Sequence, residues 1–78
     1  MEIQLSGNIR DVAGVASLNI EATSVGELLR KAGERYPKLE PMLTEVAVSI
    51  NGQIFRDDWN QPIPADAEVF LLPRIPGG

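Results

Sequence analysis

The stretch from Ser24 to Pro37 is the clearest helix in the chain, and it limits the folds the other residues can build around it. Ser24 is a good N-cap, and Glu27 three residues later completes a capping box. Val25, Leu28, Leu29, Ala32 and Tyr36 recur at helical spacing and form one apolar stripe. Pro37 ends it, because proline disfavours helical geometry in the residue before it. Arg30, Lys31, Glu34 and Arg35 lie off the stripe and read as a solvated face, with i, i+4 pairs such as Glu27–Lys31.

A single amphipathic helix needs a sheet to bury its stripe, and the flanking sequence supplies strands. Glu2–Ser6 alternates with period two. Gly7-Asn8 is a turn signal, and a second short strand over Val15–Ile20 places Leu18 and Ile20 on one face, giving a hairpin with a long irregular connection. After the helix, Pro41-Met42-Leu43 crosses to a strand over Glu45–Ile50 with Val46, Val48 and Ile50 facing the core. Asn51-Gly52 predicts a tight turn, since both residues tolerate positive φ, and Gln53-Ile54-Phe55 is the return strand. Residues 56–67 read as loop, carrying Trp59 and two prolines. Glu68–Leu72 is the last strand, apolar on both faces. That pattern fits a central, doubly covered strand and equally one whose outer face, at Phe70 and Leu72, is kept apolar for a partner. The whole is a mixed sheet wrapped around one main helix, an α+β fold. The expected division is a domain over 1–72 and a flexible tail over 73–78.

Composition narrows the chemistry. The 78 residues include no cysteine and no histidine. Disulfides, thiolate chemistry, metal sites of those two residues and histidine acid–base catalysis are thereby removed. A small domain without such staples depends on a well-patterned core. The net charge of −4 argues against nucleic acid, which needs clustered Lys and Arg. No apolar run approaches a membrane span and the first residues lack a signal-peptide pattern, so a cytoplasmic location is expected. No P-loop, G-x-G-x-x-G, G-x-S-x-G or metal-ligand cluster occurs, so no catalytic residue is assigned and an autonomous enzyme is not expected.

What stands out instead is the end of the sequence, Pro73-Arg74-Ile75-Pro76-Gly77-Gly78. At about 7% glycine usage a terminal Gly-Gly arises in roughly one chain in two hundred, and here it follows a strand and a proline-stiffened arm. Two residues without Cβ make the thinnest chain and fit a narrow tunnel. The α-carboxylate of Gly78 is a poor electrophile, so a partner must activate it, as an acyl-adenylate, before sulfur or an amine can displace AMP.

Several pieces, in order and spacing, resemble the ubiquitin-like sulfur carriers of the ThiS/MoaD family over essentially the whole chain. They are Ile9–Gly14, Thr23–Leu29, Tyr36-Pro37, Val48–Gly52, Glu68-Val69 and Pro76-Gly77-Gly78. The pattern looks more like the MoaD branch and its cysteine-biosynthesis relatives than like ThiS. One departure is Ala65-Asp66-Ala67, where the family often carries Asp-Gly-Asp; Asp tolerates left-handed geometry, so the turn is expected to survive. The resemblance implies a β-grasp fold and no bound cofactor. It further implies that an adenylyltransferase of the ubiquitin-activating type, using ATP and Mg, adenylates Gly78. A sulfur donor such as a rhodanese or cysteine desulfurase then makes the thiocarboxylate. The tail, Arg74 to Gly77, threads into a sulfur acceptor: the large subunit of molybdopterin synthase, or a cysteine or thiazole synthase. A protein modifier joined through Gly78 to lysine shares the activation chemistry, and a plain interaction module is the third reading.

Overall fold

The computed structural model describes residues 1–73. Its elements run β1 (Glu2–Leu5), α1 (Gly7–Ala13), β2 (Ser17–Asn19), α2 (Val25–Arg35), a 3-10 segment (Pro37–Glu45), β3 (Val46–Ile50), β4 (Gln53–Phe55) and β5 (Val69–Pro73). The strands form one sheet in the order β2-β1-β5-β3-β4. β1 and β5, the first and last strands of the chain, lie side by side and parallel, with Ile3 opposite Val69 and Leu5 opposite Leu71. The other pairings are antiparallel. This is the β-grasp arrangement, with the sheet curled around α2.

The covered face of the sheet and the stripe of α2 make the core. Ile3, Leu28, Val48, Val69 and Leu71 are all at 1% exposure or less, and Val25, Leu29 and Ala32 join them from the helix. Tyr36 packs at the edge, partly buried. The N-cap forms as the sequence predicts: Ser24 Oγ accepts the Glu27 N–H at 3.2 Å. The reciprocal bond differs, because Glu27 Oε1 accepts from the Thr23 N–H (2.7 Å) rather than from that of the cap residue. That hydrogen bond holds the Glu27 carboxyl below its ordinary value. With Glu27 so engaged, the expected Glu27–Lys31 pair gives way. Lys31 donates to the Glu21 carbonyl (2.6 Å), Arg35 to the Asn19 carbonyl (2.7 Å), and the i, i+4 ion pair is Arg30–Glu34 at 3.2 Å. Lys31 and Arg35 thus bolt the helix to the chain at the end of β2.

The Asn51-Gly52 hairpin is as read, with both residues at positive φ (52° and 87°). Asn51 Oδ1 also accepts the Glu68 N–H (2.9 Å), fastening the entry to β5. The Ala65–Ala67 turn forms through Ala67 N–H to the Pro64 carbonyl (3.1 Å), but Asp66 is not left-handed; Asp57 is, at φ 56°.

Two readings are corrected. Gly7-Asn8 opens a helix, α1, not a turn, and the irregular connection reduces to residues 14–16. Only Ile9 of α1 is fully buried, so its apolar periodicity is too thin to read; Gly14, at φ 78°, closes it by donating to the Arg10 carbonyl. The Pro41-Met42-Leu43 crossing is part of a nine-residue 3-10 segment. Pro41 has no N–H to continue an α-helix from Pro37, and Leu39 and Leu43 are buried against the helix layer.

Candidate functional site

β5 delivers the chain to its terminal residues, and its place in the sheet determines how firmly. Parallel β1 holds one side and antiparallel β3 the other, out to Leu72 opposite Ala47 and Pro73 opposite Val46. Pro73, which the sequence assigns to the tail, is therefore the last residue of the strand. Arg74, Ile75, Pro76, Gly77 and Gly78 lie outside the described residues.

The root of the tail is braced by α1, the element missed in the sequence. Ser6 N–H donates to the Leu71 carbonyl (3.2 Å) as the chain turns into that helix. Gly7 then sits so close to Pro73 that a Cβ on it would lie 3.0 Å from Pro73 Cγ. Its φ of 58° disfavours a side chain as well. Asn8, Ile9, Pro41, Met42, Glu45 and Val46 complete a shallow recess around Pro73. Gly7 was legible only as a turn signal, because its real role depends on a residue 66 positions away.

The open face of the sheet is the second part of the site. Register places Ser17, Gln4, Phe70, Ser49 and Ile54 in one row across all five strands. Its two ends differ. On β1 and β2, Glu2 accepts from Gln4 (3.0 Å) and from Ser17 (3.2 Å), a polar network satisfied within the chain. On β5, β3 and β4 the face is apolar apart from Ser49. Phe70 and Leu72 are half-buried, Ile54 is 52% exposed, and the small Ala47 and Ser49 lie covered between them. The strand is central in the sheet, and its outer residues still reach solvent. Among the described residues no cluster of acidic side chains is placed to hold a metal ion, and no helix is long and apolar enough to cross a membrane.

With this geometry in view, the comparisons are decisive at the level of family. The family model described as the ThiS family matches residues 3–78. The chain belongs to the ThiS family. Among solved structures, small archaeal modifier protein 1 from Methanosarcina acetivorans is similar at 21% identity and a TM-score of 0.80, covering 99% of this chain and 94% of that one. The Amycolatopsis orientalis BexX/CysO complex contains a chain similar at 16% identity, TM-score 0.78, over 99% and 98% of the two chains. The complex of subunits 1 and 2 of the molybdopterin-converting factor from Helicobacter pylori contains one at 26% identity, TM-score 0.68, over 99% and 96%. Among curated proteins none matches this chain in sequence.

Proposed function

We propose that this protein is a sulfur carrier, loaded at the carboxylate of Gly78 and serving molybdopterin synthesis. The observation that carries the reading is that the family match runs through the diglycine to residue 78. In the first step a Gly78 carboxylate oxygen attacks the α-phosphorus of ATP on an adenylyltransferase, forming the acyl-adenylate and releasing pyrophosphate; Mg on that enzyme neutralises the phosphates. A donor persulfide, from a rhodanese or a cysteine desulfurase, next attacks the acyl carbon and expels AMP. A thiol then cleaves the resulting S–S bond. The thiocarboxylate stays on Gly78 and the donor leaves oxidised as a disulfide. Nothing in this sequence asks the carrier itself to catalyse; it asks for a firmly held strand, a narrow end and a surface to dock.

The open-face patch of Phe70, Leu72 and Ile54 supplies that surface. An apolar patch with small residues between its large ones suits a flat partner. The molybdopterin acceptor is favoured over a cysteine or thiazole synthase by the 26% identity to a chain of a molybdopterin-converting factor complex. The modifier reading is kept as a second because the archaeal modifier superposes at TM-score 0.80. Intact mass spectrometry of protein isolated from its host separates the two. Replacement of one oxygen by sulfur supports the carrier, while conjugates that survive reducing agents with no thiocarboxylate reject it. Deleting Gly78 is expected to abolish loading and leave the unfolding curve unchanged.

A further inference from the structure

A second concave surface lies on the outer side of α2, away from the sheet. Two elements rest on this helix at glycines seven residues apart, about two turns or 10 Å. At Gly26 the 56–67 loop comes in: the Gly26 N–H donates to the Trp59 carbonyl (2.8 Å), and the Val25 N–H to that of Gln61 (2.9 Å). These bonds satisfy two of the free N–H groups of the helix start. A Cβ on Gly26 would lie 3.0 Å from the Trp59 oxygen. At Gly33 the 3-10 segment comes in, and a Cβ there would lie 3.2 Å from Leu43 Cδ1. Between the two contacts is a cleft of about 430 Å³, lined by Leu29 and Leu43 and bordered by Arg30, Glu34, Glu40 and Trp59.

Three features of this cleft are unused by the carrier chemistry. Trp59 is 46% exposed, although its backbone is tied to the helix. Arg30 is neutralised by Glu34 at 3.2 Å. Glu40 is exposed and its side chain makes no hydrogen bond or ion pair among the described residues. The border therefore carries one uncompensated negative charge at its Gly33 end and a half-exposed indole at its Gly26 end, above an apolar floor. An indole attracts cations through its negative π-face, and arginine stacks on it as well.

We propose that this cleft docks a partner-protein segment presenting an arginine or lysine next to an apolar residue. The basic side chain packs along Trp59 with its charge directed across the cleft to Glu40, and the apolar neighbour lies over Leu29 and Leu43 between them. Charge complementarity selects this occupant over an acidic segment, and the cleft shares no lining residue with the open sheet face or with the recess around Pro73. The cleft thus serves to recruit a protein rather than to pass sulfur.

Trp59 is the sole tryptophan, so its emission reports the cleft directly. The full-length protein is titrated with acetyl-Leu-Arg-Leu-amide, and in parallel with the same peptide carrying glutamine or glutamate in place of arginine. The arginine peptide is expected to change the emission with saturation below about 10 mM. The glutamine and glutamate peptides bind more weakly, and Glu40→Gln weakens the arginine peptide about twofold to fivefold. Amide shifts in an isotope-labelled sample should centre on Gly26, Leu29, Gly33 and Leu43. Equal binding of the glutamine peptide overturns the proposal, as does an unchanged emission with all three. An emission change that follows protein concentration alone assigns the cleft to a second copy and also overturns it. None of these readouts depends on loading of Gly78, so failure here leaves the carrier reading intact.

Discussion

The two faces of the sheet are built from the same strands, yet they carry different kinds of residue for different reasons. On the covered face the inward positions of β1, β3 and β5, up to Pro73 at the end of β5, are aliphatic: Ile3, Leu5, Val46, Val48, Ile50, Val69 and Leu71, each at 6% exposure or less. On the open face the same strands present Gln4, Ala47, Ser49, Phe70 and Leu72. Alternation along a strand permits this split but does not impose it. The covered face answers to close packing against α2. The open face has no layer over it, so each residue there answers to water or to a partner. The difference teaches that burial alone is a poor guide to function in this sheet. Ala47 and Ser49 are buried on the open face because their neighbours are large, not because they belong to the core.

The comparison can be broken most directly by truncating one residue on each side. Leu28→Ala removes the fully buried centre of the helix stripe and is expected to cost about 3 kcal/mol in urea unfolding. A cost near zero would mean that the covered face is not the one that holds the fold. Phe70→Ala on the open face is expected to cost about 1 kcal/mol or less, since the ring is only half-buried. It should instead slow adenylation of Gly78 by about tenfold, raising KM for the carrier more than it lowers kcat. Unchanged KM would remove Phe70 from the docking surface.

A smaller effect sharpens the account of how the helix layer is fastened. The Thr23 hydrogen bond lowers the Glu27 carboxyl below its ordinary value of 4.5. The N-terminal ammonium, 2.7 Å from Glu21, does the same for that group. A carboxyl with a lowered folded value stabilises the fold fully above its ordinary value and loses that contribution as pH falls through the folded one. Thermal unfolding followed across the acid range should show a midpoint that declines below about pH 4.5. Glu27→Gln should flatten part of that decline; an unaltered acid limb would show that the cap contributes nothing to it.

Much of the architecture was legible because it rests on local signals. The Ser24 cap, the helix stripe, the Asn51-Gly52 hairpin and the strands around them each declare themselves within a few residues. Helix α1 did not, because a seven-residue helix with one buried side chain has almost no periodicity to detect. The cleft beside Trp59 was equally hidden. It depends on Gly26 and Gly33 receiving a loop and a 3-10 segment from later in the chain, and nothing near either glycine announces that. Of the proposed site, Phe70 and Leu72 were picked out by four apolar residues in succession, and the terminal residues by composition and order.

By itself, then, the sequence determined the element types, the mixed α+β class and the chemistry left to a chain without cysteine or histidine. Those follow from local propensity, side-chain periodicity and the inventory of functional groups. Only the tertiary structure decided that the first and last strands lie side by side, that Gly7 packs on Pro73, and that polar and apolar residues occupy opposite ends of the open face. Strand order and register depend on contacts between residues far apart in the chain, and no single segment carries that information.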